Sequence, residues 1–294
     1  MNAGAVLPAA AAHLAEPSFC LRRPPAPSAT PLVFASPHSG RHYPAELMQA
    51  SVLDRSEIRR SEDAFVDQLI EAGLSHGAAI LTATYARAFV DVNRAPYELD
   101  PAMFADGLPA YAQADTARVA AGLGSIARIV AEGREIYARK LTFAEAEARI
   151  EAVHRPYHAT LSGLMAEAHA RHGKVLLVDW HSMPAAATRS VGQGGCDMVL
   201  GDRFGAACAP AVTQAAQDSL TALGYRVARN TPYAGGYTTE LYGRPAQGVH
   251  ALQIEINRAL YLDEPRMAPT PGFGRLKADL DSVFAGLAAA ATAL

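Results

Sequence analysis

The sequence has little of what marks secreted, membrane-spanning or disulfide-stabilised proteins. Its three cysteines, Cys20, Cys196 and Cys208, are an odd number without paired spacing, which argues against a disulfide framework and favours a reducing compartment. Residues 1–15 are apolar but lack the positive charges of a signal peptide, and no run approaches the ~20 uncharged apolar residues of a membrane span. We therefore expect a cytoplasmic protein that does not bind a membrane.

An excess of charge of one sign is also lacking. The 294 residues include 26 Lys and Arg against 29 Asp and Glu, so the chain offers no basic surface for a nucleic acid. Half of the residues are hydrophobic and 19% are charged, as in an ordinary globular protein. The metal and nucleotide motifs His-Glu-x-x-His, Cys-x-x-Cys and Gly-x-Gly-x-x-Gly are absent. Any chemistry must therefore come from residues dispersed along the chain.

Short apolar runs alternate with helical segments, which favours one α/β domain with a mainly parallel or mixed central sheet and helices on both faces. The domain is expected to occupy residues 31–294, and the proline-rich residues 1–30 to form a poorly ordered lead-in. Helices are predicted over residues 56–72 and 273–293. Strands are predicted over residues 31–35, 78–83, 88–92, 175–179, 198–200, 225–228 and 249–256.

Polar residues end or follow four of the predicted strands. In open α/β sheets, ligands bind at the carboxyl ends of the strands, so residues gathered there are candidates for a site. Each of them alone could serve the fold, but the four positions together indicate a functional site at one edge of the sheet. They are His38, Asn93 with Arg94, Asp179 with His181, and Glu255 with Asn257 and Arg258.

His38 and His181 are candidate metal ligands, because each follows a buried apolar strand and histidine is the commonest metal ligand in proteins. A catalytic zinc site needs a third protein ligand and keeps a fourth position for water. The segment 61–63 supplies a carboxylate, with Asp63 as the first choice and Glu62 as the alternative. Acidic residues in the first turn of a helix also complement its dipole, which is the structural interpretation of both.

Three further acidic residues are candidates for supporting roles. Asp179 and Asp91 could each accept a hydrogen bond from a metal-bound histidine and so fix its ring. Glu255 interrupts an apolar strand, where a charge is costly unless it is paired or belongs to an active site. We predict that Glu255 is the general base that activates water, with an ion pair to Arg258 as the structural alternative.

Candidates for substrate binding lie in two segments. Arg94, beside Asn93, could hold a carboxylate in a two-bonded fork, although a structural arginine would look the same in the sequence. Residues 230–243 are rich in glycine, hydroxyl and amide groups, as in a loop that covers a substrate. Within this segment, Thr238 and Tyr242 could donate a hydrogen bond to the oxyanion that forms during hydrolysis.

His154 and His158 stand four residues apart on a predicted helix, a spacing that can hold a metal. Pro156 lies between them, and no acidic residue is in an obvious position to be a third ligand. Packing of the helix is therefore the preferred interpretation, and a place at the mouth of the site is the alternative.

Four segments together resemble the N-formylglutamate amidohydrolase family, and the matching blocks run from about residue 33 to residue 262. The family is similar in fold to the zinc carboxypeptidases and the aminoacylase-like deacylases. It hydrolyses N-formyl-L-glutamate to formate and L-glutamate, the last step of one route of histidine degradation. The segments are 36–40 (Ser-Pro-His-Ser-Gly), 91–94 (Asp-Val-Asn-Arg), 179–183 (Asp-Trp-His-Ser-Met) and 252–261 (Leu-Gln-Ile-Glu-Ile-Asn-Arg-Ala-Leu-Tyr).

The resemblance implies one Zn²⁺ per chain, held by His38, His181 and Asp63 or Glu62, with Glu255 as the base. It also implies that Arg94 binds a carboxylate of a small N-acyl amino acid. One alternative is a deacylase or carboxypeptidase-like hydrolase acting on another N-acyl amino acid or a peptide. The other alternative is a metal-free binding protein on the same fold. Nothing in the sequence predicts the oligomeric state.

Overall fold

A computed structural model describes residues 15–191 and 194–294 of the chain. Within these residues, a short hairpin of β8 (Leu262–Asp263) and β9 (Ala268–Pro269) follows one larger sheet. The strands of that sheet are β1 (Phe19–Arg22), β2 (Leu32–Ser36), β3 (Ala79–Ala83), β4 (Val175–Met183), β5 (Met198–Gly201), β6 (Val227–Arg229) and β7 (Val249–Asn257).

The seven-stranded sheet is mixed, with the strand order β1-β3-β2-β4-β7-β5-β6. The central strands β3, β2, β4 and β7 are parallel to one another. Strand β1 is antiparallel to β3, and β5 is antiparallel to β7. Because the central strands are parallel, their carboxyl ends meet at one edge of the sheet. The prediction of one α/β domain with a mainly parallel or mixed sheet is confirmed.

Helices cover both faces of the sheet. A π-helical turn, Ile150–His154, joins the helix Phe143–Arg149 to the helix Arg155–His172. None of the helices in the described residues is long and apolar enough to cross a membrane. The helices are α1 (Ala45–Ala50), α2 (Arg55–Ile58), α3 (Val66–Leu69), α4 (Ala117–Ala120), α5 (Phe143–Arg149), α6 (Arg155–His172), α7 (Pro210–Ala222), α8 (Tyr237–Tyr242) and α9 (Gly272–Ala293).

The strands alternate their side chains between two hydrophobic cores. Leu177 of β4 packs in the core that contains Leu161 of α6, whereas its neighbour Leu176 packs in the core that contains Phe284 of α9. This alternation is the period of two that a strand imposes on its side chains. Burial of each such large apolar side chain contributes roughly 1.5–3 kcal/mol, so the two cores anchor the central strands whose carboxyl ends carry the candidate site.

Two predicted elements are wrong. The predicted helix 56–72 contains α2, a 3₁₀ turn (Arg59–Ser61), a non-helical segment (62–65) and α3. The backbone N–H of Asp63 donates to the carbonyl of His38 at 2.9 Å, and this tertiary contact competes with a continuous helix. The predicted strand 88–92 is a buried turn, in which the backbone N–H of Asp91 donates to the carbonyl of Ser125 at 2.7 Å.

The lead-in predicted over residues 1–30 also differs from the structure. Residues 1–14 lie outside the described residues. Phe19–Arg22 form strand β1, which pairs with β3 in register from Phe19 with Ala83 to Arg22 with Ile80. Backbone hydrogen bonding to the otherwise open edge of β3 recruits this segment into the sheet, so it is part of the fold.

Candidate metal centre and active site

Three potential ligand atoms converge at the carboxyl edge of the sheet. His38 lies in the turn after β2, His181 near the C-terminal end of β4, and Asp63 in the non-helical segment before α3. The three side chains are buried, and one ligand atom from each lies within 4.8 Å of the others. Asp63 Oδ2 is 3.0 Å from His181 Nδ1 and 3.5 Å from His38 Nδ1. This His–Asp–His group is a candidate site for one metal ion.

The second ring nitrogen of each histidine faces a carboxylate. His38 Nε2 lies 2.6 Å from Asp91 Oδ1, and His181 Nε2 lies 2.9 Å from Asp179 Oδ2. An ionised carboxylate only accepts hydrogen bonds, so these contacts favour a proton on each Nε2 and leave each Nδ1, which faces Asp63, as the atom that could bind a metal ion. His38 Nδ1 is buried and has no hydrogen-bond partner within the described residues. A buried lone pair beside a carboxylate is costly unless a cation lies between them, and these residues therefore fit a metal ion.

Glu62, the alternative third ligand, lies in different surroundings from Asp63. Its carboxylate is buried, accepts from the Tyr43 hydroxyl at 2.7 Å and accepts from Arg59 Nε at 2.8 Å. Glu62 is outside the group of converging ligand atoms. The geometry therefore favours Asp63 over Glu62 as the third candidate ligand.

Asp63 is held in its ionised form. Burial raises its pKa, but the close approach of the His181 and His38 rings brings the pKa well below the usual range. The other oxygen, Oδ1, accepts from Arg258 Nη2 at 3.0 Å. Arg258 thus orients Asp63 and is not the partner of Glu255 that the structural alternative requires.

Glu255 lies beside the candidate metal centre on β7. The register pairs it with His181 of β4, and both face away from the core that holds Trp180 and Ile254. Within the described residues, its carboxylate accepts one hydrogen bond, from Gln253 Nε2 at 2.9 Å. Burial raises the pKa of Glu255 to about 7, the range in which a carboxyl group exchanges a proton at neutral pH.

A cavity of about 530 Å³ opens onto these residues. Among the described residues that line it are five arginines and three carboxylates, so the lining favours a negatively charged ligand. The arginines are Arg60, Arg87, Arg94, Arg118 and Arg258, and the carboxylates are Asp63, Asp91 and Glu255.

Arg94 is the arginine best suited to bind a ligand. Its Nε donates to the carbonyl of Leu123 at 2.8 Å, and its Nη1 donates to the carbonyl of Asn93 at 2.7 Å. These bonds fix the guanidinium, yet no carboxylate of the described residues pairs with it. Burial lowers the pKa of Arg94, but a guanidinium stays charged at neutral pH. Arg87, by contrast, is paired with Asp91 Oδ2 at 2.6 Å.

Asn93 connects the candidate metal centre with the loop 230–243. Its Nδ2 donates to Asp179 Oδ2 at 3.2 Å and lies 3.0 Å from His181 Nε2, while its Oδ1 accepts from the backbone N–H of Thr238 at 2.8 Å. A Cβ atom on Gly236 would come within 2.6 Å of Asn93 Nδ2, so this approach of the loop requires glycine.

Two residues predicted to contact a substrate are not part of the cavity lining. Thr238 is buried. The Tyr242 hydroxyl lies 3.0 Å from His158 Nδ1, on the side of α8 that packs against α6. Asn93 and Arg94, the other two predicted substrate contacts, both line the cavity.

Two supporting residues were not predicted from the sequence. Gln253 donates to Glu255 and accepts at Oε1 from the backbone N–H of Gly236 at 2.7 Å, so it joins β7 to the loop. The alternation of polar and apolar residues over 253–257 is a signal that could have identified it. Arg87 holds Asp91 from a turn, and no pattern in the sequence pointed to this contact.

A buried carboxylate beside a His–Asp–His group, at the carboxyl edge of a mixed α/β sheet, is the arrangement of a hydrolytic enzyme. A profile of the N-formylglutamate amidohydrolase family matches residues 30–262, and the chain belongs to this family. The resemblance carried by the four sequence segments is therefore confirmed.

Individual relatives agree with the family profile. The N-formylglutamate deformylase of Pseudomonas aeruginosa is 31% identical over 239 residues, which cover 80% of this chain and 83% of the relative. The enzyme of the same name from Pseudomonas putida is 28% identical over 237 residues, 80% of this chain and 82% of the relative. The crystal structure of N-formylglutamate amidohydrolase from Ralstonia eutropha is 38% identical, with a TM-score of 0.87 over 92% of this chain and 97% of that chain.

Proposed function

We propose that this protein hydrolyses N-formyl-L-glutamate to formate and L-glutamate, with one Zn²⁺ held by His38, Asp63 and His181. The observation that carries the proposal is the convergence of two histidine Nδ1 atoms and one carboxylate oxygen beside the buried Glu255. Two histidines and one carboxylate are a ligand set of catalytic zinc sites with an open position. The names of the relatives support the substrate. Such a reaction would serve histidine degradation.

The residues of the chain divide the work between proton transfer and positioning. A zinc ion bound at this site would supply a Lewis acid for the formyl carbonyl and lower the pKa of water. Glu255 would take the proton of the attacking water and deliver it to the glutamate nitrogen as the C–N bond breaks. Arg94 would bind a carboxylate of the substrate through the part of its guanidinium that is not bonded to backbone. Asp91 and Asp179 would keep both histidine rings in the ligating tautomer.

One observation favours a second substrate class. Part of the cavity lining is apolar, and a ligand as small as N-formylglutamate fills only a fraction of about 530 Å³. Larger N-acyl amino acids or peptides are therefore the second candidate. This apolar part includes Leu123, Ala127, Ile129 and Val130.

Metal content and formate release, measured on the same preparation, test the proposal. We expect about one zinc per chain, and release of formate from N-formyl-L-glutamate that chelation abolishes and added zinc restores. Asp63→Asn should lose the metal, whereas the matched variant Glu62→Gln should keep it. Faster hydrolysis of N-acetyl- or N-succinyl-glutamate would favour the second class of substrate. A protein with neither metal nor hydrolysis would contradict the proposal and leave a binding protein.

A further inference from the structure

Three successive backbone carbonyls beside the cavity are each bonded by a side chain. The carbonyl of Val92 lies 2.7 Å from His158 Nε2, and the carbonyl of Arg94 lies 2.8 Å from His154 Nε2. Between them, the carbonyl of Asn93 accepts from the Arg94 guanidinium itself. The segment 92–94 is a turn without strand or helix bonding, so these side chains hold its shape.

The two histidines reach this turn because of the helix that carries them. The π-helical turn ends at His154, and α6 begins at the next residue. A spacing of four residues then places both rings on one face, with centroids 4.5 Å apart. Turns of this rare kind are frequent at functional sites. His154 is buried and His158 is half-buried, so both hydrogen bonds are shielded from water.

The partners of both rings define their protonation. A carbonyl oxygen only accepts, so Nε2 of each ring is the donor. His158 Nδ1 faces the Tyr242 hydroxyl at 3.0 Å, which can donate to it. Burial and the neighbouring His154 lower the pKa of His158 to about 4, and burial also lowers the pKa of His154. Both rings are thus neutral donors and not metal ligands or proton carriers.

We propose that His154 and His158 are positioning residues that fix the turn 92–94. The fixed turn places Arg94 to bind the substrate carboxylate and Asn93 to contact the candidate metal centre. The inference rests on the proposed function of Arg94. Tyr242 extends the same arrangement to α8, because its hydroxyl fixes the His158 ring while the backbone of the neighbouring Thr238 bonds Asn93.

Kinetic variants test this role. His158→Phe and His154→Phe keep a ring but remove the donor, and each should raise KM for N-formyl-L-glutamate about 10–100-fold, as for one lost buried hydrogen bond. The value of kcat should change less than about 3-fold, and metal content should not change. His158→Gln, which can place a donor near Nε2, should restore KM to within about 3-fold of wild type. His169→Phe is the matched control, because His169 of α6 also bonds a carbonyl, that of Gln247, outside the cavity lining.

A double-mutant cycle separates positioning from general destabilisation. If His158 acts through Arg94, His158→Phe should add less than about 2-fold to KM in an Arg94→Met background. Equal effects of His158→Phe with and without Arg94 would overturn the proposal. If the Phe variants do not fold, Tyr242→Phe takes their place and should raise KM about 3–10-fold with the same dependence on Arg94.

Hydrogen exchange keeps the test independent of the substrate. The amides of residues 92–95 should exchange at least about 10-fold faster in His158→Phe than in His169→Phe, while β4 and β7 keep wild-type rates. Unchanged exchange at 92–95 would overturn the positioning role. A wild-type protein that releases no formate would instead contradict the proposed function alone, and the exchange result would still decide the role of the histidines.

Discussion

Two pairs of histidines lie close to the cavity, and their rings are spaced alike. The metal-site pair, His38 and His181, has ring centroids 4.8 Å apart, and the loop pair, His154 and His158, has centroids 4.5 Å apart. The metal-site pair comes from the turn after β2 and from β4, and each ring faces a carboxylate at both of its nitrogen atoms. The loop pair comes from one helix and bonds backbone carbonyls.

The partners of a histidine ring, and not its spacing from another histidine, therefore indicate whether the ring can bind a metal ion. Carboxylates on both sides of His38 and His181 stabilise positive charge, so this pair suits a cation. Carbonyls and a tyrosine hydroxyl around the loop pair satisfy only the neutral ring. The regular spacing of His154 and His158 looks more like a metal motif in the sequence than the 143-residue separation of His38 and His181, yet only the latter pair faces Asp63.

The largest expected effect comes from removing one member of the metal-site pair. If His181 holds the proposed zinc ion, His181→Asn should abolish zinc retention and lower kcat/KM for N-formyl-L-glutamate by roughly 10⁴-fold, because a metal bound there would supply several kcal/mol of transition-state stabilisation. Elemental analysis of the purified variant and a formate assay check both parts. His158→Asn, the control from the loop pair, should keep its metal. Loss of zinc from that variant would contradict the conclusion that only the metal-site pair binds the metal.

Glu255 is a further difference between the two pairs of histidines. It lies beside the metal-site pair, whereas no carboxylate of the described residues is hydrogen-bonded to the loop pair. Glu255→Gln keeps the shape but cannot take a proton, so we expect kcat to fall about 10³-fold while zinc content stays the same. Steady-state kinetics with metal analysis test this expectation. Near-normal turnover in a zinc-loaded variant would show that another group is the base.

Asp91→Asn tests whether the carboxylate behind His38 tunes the metal site. The amide still accepts a hydrogen bond from His38 Nε2 but carries no charge, so zinc affinity should fall about 10–100-fold. Competition with a zinc chelator of known affinity measures the change. Because Asp91 also holds Arg87, Arg87→Met serves as the control, and equal losses of affinity in the two variants would assign the effect to the arginine pair.

The smallest expected effect concerns pH and the loop pair. The pKa of His158 is about 4 in the folded protein against about 6.5 in the unfolded chain, so the unfolded chain binds the proton first. The contribution of neutral His158 to the free energy of unfolding should therefore be complete above pH 6.5 and decline as the pH falls toward 4. The expected loss at pH 5 is about 1–2 kcal/mol. Urea unfolding of metal-depleted wild type and His158→Gln at pH 7 and pH 5 measures it, and identical declines in both would contradict the assignment.

Much of the candidate site could be predicted from the sequence, because a buried strand is recognisable as a short apolar run. The apolar runs before His38, Asp179 and Glu255 identify β2, β4 and β7, and parallel strands bring their carboxyl ends together. The turn 88–92 and the broken helix 56–72 were not predictable, since both depend on bonds to residues far away in the chain. The Asp91 carboxylate contacts the His38 ring, and the backbone N–H of Asp63 donates to the carbonyl of His38. These tertiary contacts outweigh the local strand and helix propensities of the two segments.

The sequence by itself determined the family, the α/β layering and the residue types that could bind a metal, because apolar periodicity and short motifs are local properties. The tertiary structure favours Asp63 over Glu62 as the candidate ligand, because the side chains of these two neighbours in sequence enter different polar networks. It also shows that Arg258 pairs with Asp63 and that the loop pair bonds backbone carbonyls. Hydrogen bonds join atoms about 3 Å apart in space, and their partners have no fixed spacing along the chain. No sequence pattern therefore predicts which residues they join.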